Sequence, residues 1–253
     1  MNSSLSSLFI ISFNSIQKKN NIMSKNGFLL LSSNTKIDKS NDNQEQYIGK
    51  ILQLAPYKES GYNTCPFAKA ADCYSGCIFY SGMGRFKNVK ESRVRKTKLF
   101  FEDNPRFMEL LEKDLAKLIK LANKENKIPT VRLNGFSDIL WEEHLDFSKF
   151  KEIIFYDYTK YYNRVVPENY HLLYSFSPNL ENHLEEYLKL NPNGNYSVVF
   201  NLRKNEQLPE FHKGRKVIDG DLNDFRFLDE KNIVVGLKNK IETNIGINIV
   251  EIK

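Results

Sequence analysis

The sequence predicts a single α/β domain built on a parallel sheet, in the form of a complete or partial (β/α) barrel. After Pro129, short runs rich in β-branched and aromatic residues alternate with helical and polar segments. Apolar residues dominate these runs without a strict alternation with polar ones, which is typical of strands that a parallel sheet buries. With 253 residues, 41% of them apolar, the chain has enough material for one large core.

The chain before residue 45 is predicted to lie outside this domain. Residues 1–44 are rich in Ser, Asn and Lys and show little hydrophobic periodicity, so we expect a disordered extension. Met23 is an alternative translation start, and if it is used, residues 1–22 are not translated. The predicted barrel-like domain therefore spans residues 45–253.

The first predicted elements of the domain are a strand and two helices. The strand covers residues 47–54 and leads into a loop marked by Gly and Pro. Asn88 and Glu91 have the spacing of a capping box, which predicts the start of a helix. Asn104 and Pro105 begin the second helix, whose leucines recur at helical spacing.

Six more strands are predicted, and polar residues follow nearly all of them. The strands are 130–133, 153–156, 171–174, 196–200, 216–218 and 233–236, with a helix from 179 to 190. The active sites of α/β proteins lie at the carboxyl ends of such strands. These ends supply the predicted catalytic residues Asn134, Asp138, Asp157, Lys160, Asp219, Asp221 and Lys238, and the predicted binding residues Arg132, Ser175 and Ser177. The alternative is that polar residues end strands only because loops are solvated.

The three cysteines of the chain, Cys65, Cys73 and Cys77, lie within thirteen residues of one another in the pattern C-x7-C-x3-C. An odd number of cysteines argues against a disulfide scaffold and favours a reducing compartment. Three thiolates can hold three irons of a 4Fe-4S cluster and leave the fourth iron open to a small molecule. They can also hold zinc with a fourth ligand from elsewhere, or they can be small buried apolar residues. All three interpretations stay open at this point.

Residues around the cysteines are predicted to help bind such a cofactor. Asn63, Gly82 and Gly84 are placed to let the backbone approach it closely, and Arg85 adds a positive charge. Seven basic residues and one acidic residue occupy 85–98, which predicts either a nucleic-acid surface or a solvated helix face. The net charge of +6 allows an anionic partner without requiring one. No apolar stretch approaches the length of a membrane span, so no membrane partner is expected.

Several segments together resemble the phage "gene product 88" family of viral proteins. They are Asn63-Thr-Cys-Pro-Phe-Ala, the pair Cys73 and Cys77, Gly82-Met-Gly-Arg-Phe86, Arg95-Lys-Thr-Lys-Leu-Phe-Phe-Glu-Asp103, Arg132-Leu-Asn-Gly-Phe-Ser-Asp138 with Trp141, Phe155-Tyr-Asp-Tyr-Thr-Lys160, and Val217-Ile-Asp-Gly-Asp-Leu-Asn-Asp-Phe-Arg226. The resemblance covers residues 47–241. It implies a viral or mobile-element origin, with the protein inside the infected host cell or in the virion, and it brings no known reaction with it.

A three-cysteine loop after a first strand, followed by βα units, also resembles the radical S-adenosylmethionine superfamily. Those enzymes usually space their cysteines C-x3-C-x2-C, and this chain departs from that pattern. The resemblance implies that the amino acid moiety of S-adenosylmethionine would chelate the fourth iron, with strand-end residues binding the rest and the substrate. The predicted function is thus an iron–sulfur enzyme of radical type whose substrate the sequence does not name; the viral origin favours nucleic acid or a nucleotide. The alternatives are a non-catalytic nucleic-acid-binding protein with zinc or free thiols, and a packaged virion component.

Overall fold

The computed structural model describes residues 27–73, 77–240 and 250. Nine strands form one sheet in the order β1-β2-β3-β4-β5-β6-β9-β8-β7. The strands are β1 Leu31–Ser32, β2 Tyr47–Leu52, β3 Ile128–Arg132, β4 Ile154–Thr159, β5 Tyr170–Ser175, β6 Tyr196–Phe200, β7 Phe211–His212, β8 Arg215–Asp219 and β9 Val234–Lys238. The helices are α1 Thr35–Asn43, α2 Tyr57–Ser60, α3 Lys87–Glu102, α4 Asn104–Glu125 and α5 Glu181–Leu190.

The predicted parallel α/β sheet is confirmed, but its closure into a complete barrel is not observed. Parallel pairing joins β2 through β6 in chain order and continues to β9 and β8. Antiparallel pairs occur at the two ends, β1 with β2 and β7 with β8. In the described part of the chain β1 and β7 are edge strands, so the sheet is open. In a closed barrel the last strands would pair with the first. Here the β7–β8 hairpin forms that edge of the sheet instead.

Helices α3 and α4 cover one face of the sheet and enclose the largest apolar core. The predicted helix at Asn104 is confirmed: Asp103 accepts a hydrogen bond from the Arg106 amide, and Pro105 lies in the first turn. Its buried residues repeat at helical spacing, as predicted, at Phe107, Leu110, Leu111, Asp114, Leu115, Leu118 and Ala122. The predicted capping box at Asn88 is wrong, because α3 begins at Lys87 and no side chain caps it.

The predicted boundary at residue 45 is also corrected by the structure. Phe28, Leu30 and Leu31 are buried, and β1 pairs with β2. Asn34 caps α1 by accepting hydrogen bonds from the amides of Lys36 and Ile37. The described part of the supposed extension therefore belongs to the domain, because its apolar residues complete the core. Residues 1–26 lie outside the described residues.

The segment that carries the cysteines connects β2 to α3 and so begins at the carboxyl end of a parallel strand. The loops after β3, β4 and β5 begin at the same end of the sheet, since these strands are parallel. No helix in the described residues is long and apolar enough to cross a membrane.

Candidate functional site

A cavity of about 150 Å³ lies where the cysteine segment meets the carboxyl ends of β3, β4 and β5. The three cysteines line it together with six of the other predicted residues: Asn63, Arg132, Asn134, Asp138, Lys160 and Ser175. Aromatic rings that the sequence analysis did not select complete the walls: Tyr57, Phe67, Tyr80 and Tyr158. The fold therefore brings together residues that span more than one hundred positions of the sequence.

Hydrogen bonds attach the cysteine segment to the strand ends. The Asp138 amide donates to the carbonyl of Thr64 (2.8 Å), and the Cys65 thiol donates to the carbonyl of Phe136 (3.3 Å). On the other side, the buried Ser177 hydroxyl donates to the carbonyl of Ala71 (3.2 Å). Ser177, predicted as a binding residue, thus supports the segment from outside the cavity lining.

The three thiols are half-buried and electrostatically coupled. Burial, helped by the neighbouring Asp138, Cys77 and Cys73, raises the pKa of Cys65 to about 12. Burial also raises the pKa of Cys73, although the charge of Lys160 opposes the shift. The pKa of Cys77 is raised for the same reason, with Lys58 and Arg93 opposing. The thiols are therefore protonated at neutral pH unless a cation stabilises the thiolates.

Arg93 on α3 is a buried cation behind Cys77. Its side chain donates to Gln53 Oε1 (3.0 Å) and to the carbonyl of Phe79 (3.4 Å), and its guanidinium lies 4.4 Å from the centroid of the Phe136 ring. Burial lowers the pKa of Arg93 to about 10, while Cys77 opposes the shift. The two oxygen atoms that accept hydrogen bonds from the Arg93 side chain are both uncharged. This cation therefore has no carboxylate partner among the described residues.

The basic segment therefore differs from the prediction that all its cations face water. Arg93 and Lys96 are buried, and Lys96 donates to the carbonyl of Leu30 (2.5 Å). Arg85, Lys87, Arg95 and Lys98 are exposed, as predicted. One face of α3 packs on the sheet, and long side chains on that face can bury a cation when backbone oxygens accept its hydrogen bonds.

Lys160 and Asp138 are two charged neighbours at the cavity wall. The Lys160 amide donates to Asp138 Oδ2 (2.8 Å), and Lys160 Nζ donates to the carbonyl of Ser175 (3.0 Å). Burial lowers the pKa of Lys160 and raises that of Asp138. Asp138 Oδ1 lies 3.6 Å from Arg164 Nη1 and accepts no hydrogen bond within the described residues.

Asn134 organises the loop after β3. Its Oδ1 accepts hydrogen bonds from Ser137, from the Ile139 amide and from the Trp141 indole. Its amide and Nδ2 donate to Asp157, which is fully buried beneath the cavity and also accepts from the Tyr170 hydroxyl (2.6 Å). Asp157 does not line the cavity, and Asn134 uses its polar atoms to hold the loop.

Arg132 connects the cavity to a buried ionic cluster that includes Asp224 and Lys36. Its Nη1 lies 3.2 Å from Asp224, which also pairs with Lys36 Nζ at 2.9 Å. The two cations hold the pKa of Asp224 well below its usual range, against the opposing effect of burial. The Arg132 guanidinium lies 4.4 Å from the centroid of the Tyr158 ring, within range of a cation–π interaction. Lys36 and Tyr158 were not among the residues predicted from the sequence. Tyr158 follows Asp157 directly, so its position in the same strand-end motif could have identified it as a site residue.

The remaining predicted residues lie elsewhere. Asp219 and Asp221 form a turn after β8, and Asp221 pairs with Lys240 at 2.8 Å and accepts from the Lys238 amide at 3.2 Å. This turn is at the carboxyl end of the sheet but is separated from the cavity by β6 and β9. Gly82, Gly84 and Arg85 form a helical turn after the cysteines, outside the cavity lining. Gly84 is required there, because a Cβ atom would lie 1.8 Å from the carbonyl oxygen of Phe79.

The arrangement of the possible ligand side chains bears on which metal ion or cluster they could hold. In the described part of the chain, no three side chains of His, Cys, Asp or Glu are arranged to hold one metal ion. The three thiols nevertheless line one cavity, and Tyr74–Gly76 between Cys73 and Cys77 lies outside the described residues. The ligands of a cluster lie farther apart than those of one ion, because each thiolate binds a different iron.

The fold and cavity define a class of protein: an open, mostly parallel α/β sheet whose three cysteines line a cavity at the carboxyl ends of its strands. The model of the family "Gene product 88" matches residues 28–249, so the chain belongs to this family. No significant match is found among curated proteins or among solved structures.

Proposed function

We propose that this protein is an iron–sulfur enzyme whose Cys65, Cys73 and Cys77 hold three irons of a 4Fe-4S cluster. The observation that carries the proposal is the cavity itself. The three cysteines of the chain line it together with charged and polar residues from the carboxyl ends of three parallel strands. Sites that combine a cofactor with reactive side chains are commonly built at this end of an α/β sheet.

The electrostatics around the thiols support a multivalent cation. Burial raises the pKa of each thiol, so thiolates form at neutral pH only if positive charge is added. Iron would supply most of that charge on binding. Lys160 and Arg93 add two fixed cations next to the thiols, which favours an anionic cluster–thiolate group. Zinc, with a fourth ligand beside the three thiolates, is the alternative that metal analysis distinguishes.

The finer proposal is that S-adenosylmethionine binds in the same cavity. Three residues that line the cavity each have a buried polar atom with no hydrogen-bond partner within the described residues: Asp138 Oδ1, Arg132 Nε and the Tyr158 hydroxyl. Asp138 and Arg132 give the same cavity an anionic acceptor and a cationic donor, which together complement a zwitterionic amino acid moiety. When bound, a cluster with an open iron supplies single electrons to such a ligand. Asp138, Arg132 and Lys160 would orient the ligand, and the surrounding rings would limit access of water.

The experiment is the iron and sulfide content of protein purified anaerobically. Wild type is expected to hold about four irons and four sulfides per chain and to be brown. Cys73→Ser is expected to lose most of both, because a cluster held by two thiolates is labile. Ser81→Ala, a change at an exposed hydroxyl just after Cys77, is the control and should keep the metal. Metal-free wild type, or zinc in place of iron, would refute the cluster.

S-adenosylmethionine binding is tested separately on the iron-loaded protein by equilibrium dialysis. Asp138→Asn should weaken binding about tenfold while the iron content stays unchanged, because the charge that pairs with the amino group is lost. Equal binding by wild type and variant would remove the finer proposal and leave the cluster in place.

A second candidate function is nucleic-acid binding through the exposed cations of 85–98. Arg85, Lys87, Arg95 and Lys98 face solvent, and the Lys87 side chain, 91% exposed, lies 3.9 Å from Glu91. A nucleic-acid surface predicts affinity that falls steeply with salt and falls again when Arg85, Lys87 and Arg95 are changed to Gln. Retention that does not depend on salt would contradict it.

A further inference from the structure

A second cavity, of about 290 Å³, lies at the opposite end of the sheet from the cysteines. Its walls come from the amino-terminal half of β5, the turn before β6 and the segment before β9. It arises because β5 pairs with β6 only through Tyr174 and Ser175, so residues 170–173 have no strand neighbour on that side. The exposed residues His171, Asn191 and Lys231 form its rim, which leaves the cavity open to solvent.

A buried pair of opposite charges faces this cavity. The side chains of Arg226 and Asp229 are 4% and 8% exposed, and Arg226 Nη1 lies 3.3 Å from Asp229 Oδ2 without a hydrogen bond between them. Arg226 Nε and Nη1 and Asp229 Oδ2 all lack a hydrogen-bond partner within the described residues. Arg226 Nη2 alone is used, as a donor to the carbonyl of Asn223 (2.5 Å). Buried groups of this kind are costly unless a ligand or water satisfies them.

Flat side chains border the same space. The rings of His171 and Phe227 lie 5.9 Å apart, and Tyr187 approaches from α5. Partial burial, with the charge of Lys231, lowers the pKa of His171, which favours the neutral imidazole. A neutral ring beside Phe227 suits the face of a planar ligand rather than a free anion.

We propose that this cavity binds a nucleobase, with Arg226 donating to a ring acceptor and Asp229 accepting from the neighbouring ring donor. Every common base presents an acceptor next to a donor on its pairing edge, which is the pattern that these two side chains complement. The base would stack near His171 and Phe227, and the sugar would point to the rim. The site is independent of the cysteines and of any cluster, and it lies at the other end of the strands.

The test is isothermal titration of the full chain with the four common nucleosides, with caffeine as comparison because it is a planar purine that has no N–H donor. At least one nucleoside should bind, and caffeine about tenfold or more weaker. Asp229→Asn and Arg226→Lys should each weaken the nucleoside about tenfold. Glu230→Gln, at an exposed neighbour whose side chain is not in the cavity lining, is the matched control and should bind as wild type.

Three outcomes would overturn the proposal. The first is that the nucleosides bind no more tightly than caffeine. The second is that Asp229→Asn binds the nucleoside as tightly as wild type does. The third is that inorganic phosphate binds, that its binding depends on Arg226, and that no nucleoside binds. This result would make the cavity an anion site instead. If Arg226→Lys fails to fold by circular dichroism, Asp229→Asn decides the question, since it keeps the size and shape of the side chain.

Discussion

Replacing Asp157 with Asn should make the protein more stable at pH 8 and nearly unchanged at pH 5. Asp157 is fully buried and accepts hydrogen bonds from the Asn134 amide, from Asn134 Nδ2 and from the Tyr170 hydroxyl. Burial raises its pKa from 3.8 to about 7, because these donors compensate only part of the cost of removing the carboxylate from water.

The sign and size of the effect follow from the shift in pKa. A raised pKa means that the folded state holds the proton more tightly than the unfolded chain, so Asp157 favours folding most at low pH. That stability is lost as the pH rises from about 4 through about 7, and the total loss is about 4 kcal/mol, at about 1.4 kcal/mol per pKa unit. Between pH 5 and pH 8 the loss is about 2–3 kcal/mol. Asn carries no proton equilibrium and is similar in shape to the protonated acid.

The assay is urea unfolding of wild type and Asp157→Asn at pH 5 and pH 8. The two proteins should agree within about 1 kcal/mol at pH 5, and the variant should be about 2–3 kcal/mol more stable at pH 8. Glu152→Gln, at an exposed position in the turn before β4, controls for the change in net charge. A variant that is equally destabilised at both pH values would refute the reasoning, since it would mean that the hydrogen bonds of the carboxylate outweigh its desolvation.

Three further outcomes are expected. Asp114→Ala should lower the free energy of unfolding, measured in urea, by about 4 kcal/mol, because the buried Asp114 carboxylate accepts hydrogen bonds from the amides of residues 29–31. An unchanged urea midpoint would mean that this segment does not stabilise the core. Gly84→Ala should lower the melting temperature and the retained iron, since the new Cβ meets the carbonyl of Phe79, and a variant with both values unchanged would contradict this. Deleting residues 1–22 should leave the melting temperature unchanged, as the sequence predicts, whereas a fall of several degrees would show that they pack on the domain.

The sequence by itself was enough to predict the parallel α/β sheet, helix α4 and the cysteine segment as the place to look for a cofactor. Strand runs, leucine spacing and three clustered cysteines are local signals, so their interpretation needs no knowledge of the fold. The strand-end rule then selected five further residues of the cavity, among them Asp138 and Lys160, because parallel strands bring their carboxyl ends to one edge.

Only the tertiary structure decided which strand ends meet. Asp219 and Lys238 follow strands just as Asp138 does, but β8 and β9 lie beyond β6. Neighbouring strands are about 4.8 Å apart, so strands three or four places along the sheet are too distant to share one small cavity. The order of strands depends on non-local pairing, which local sequence patterns do not encode.

The structure alone also decided which polar residues are buried. Arg93 belongs to a run of cations that by type would be solvent-exposed, yet it is 6% exposed because Gln53, Phe79 and Phe136 surround it. Asp157 follows the strand-end pattern but lies beneath the cavity, where the alternation of side chains in β4 directs it into the core. Burial of a charge depends on partners that are distant in sequence, and these become neighbours only when the chain has folded.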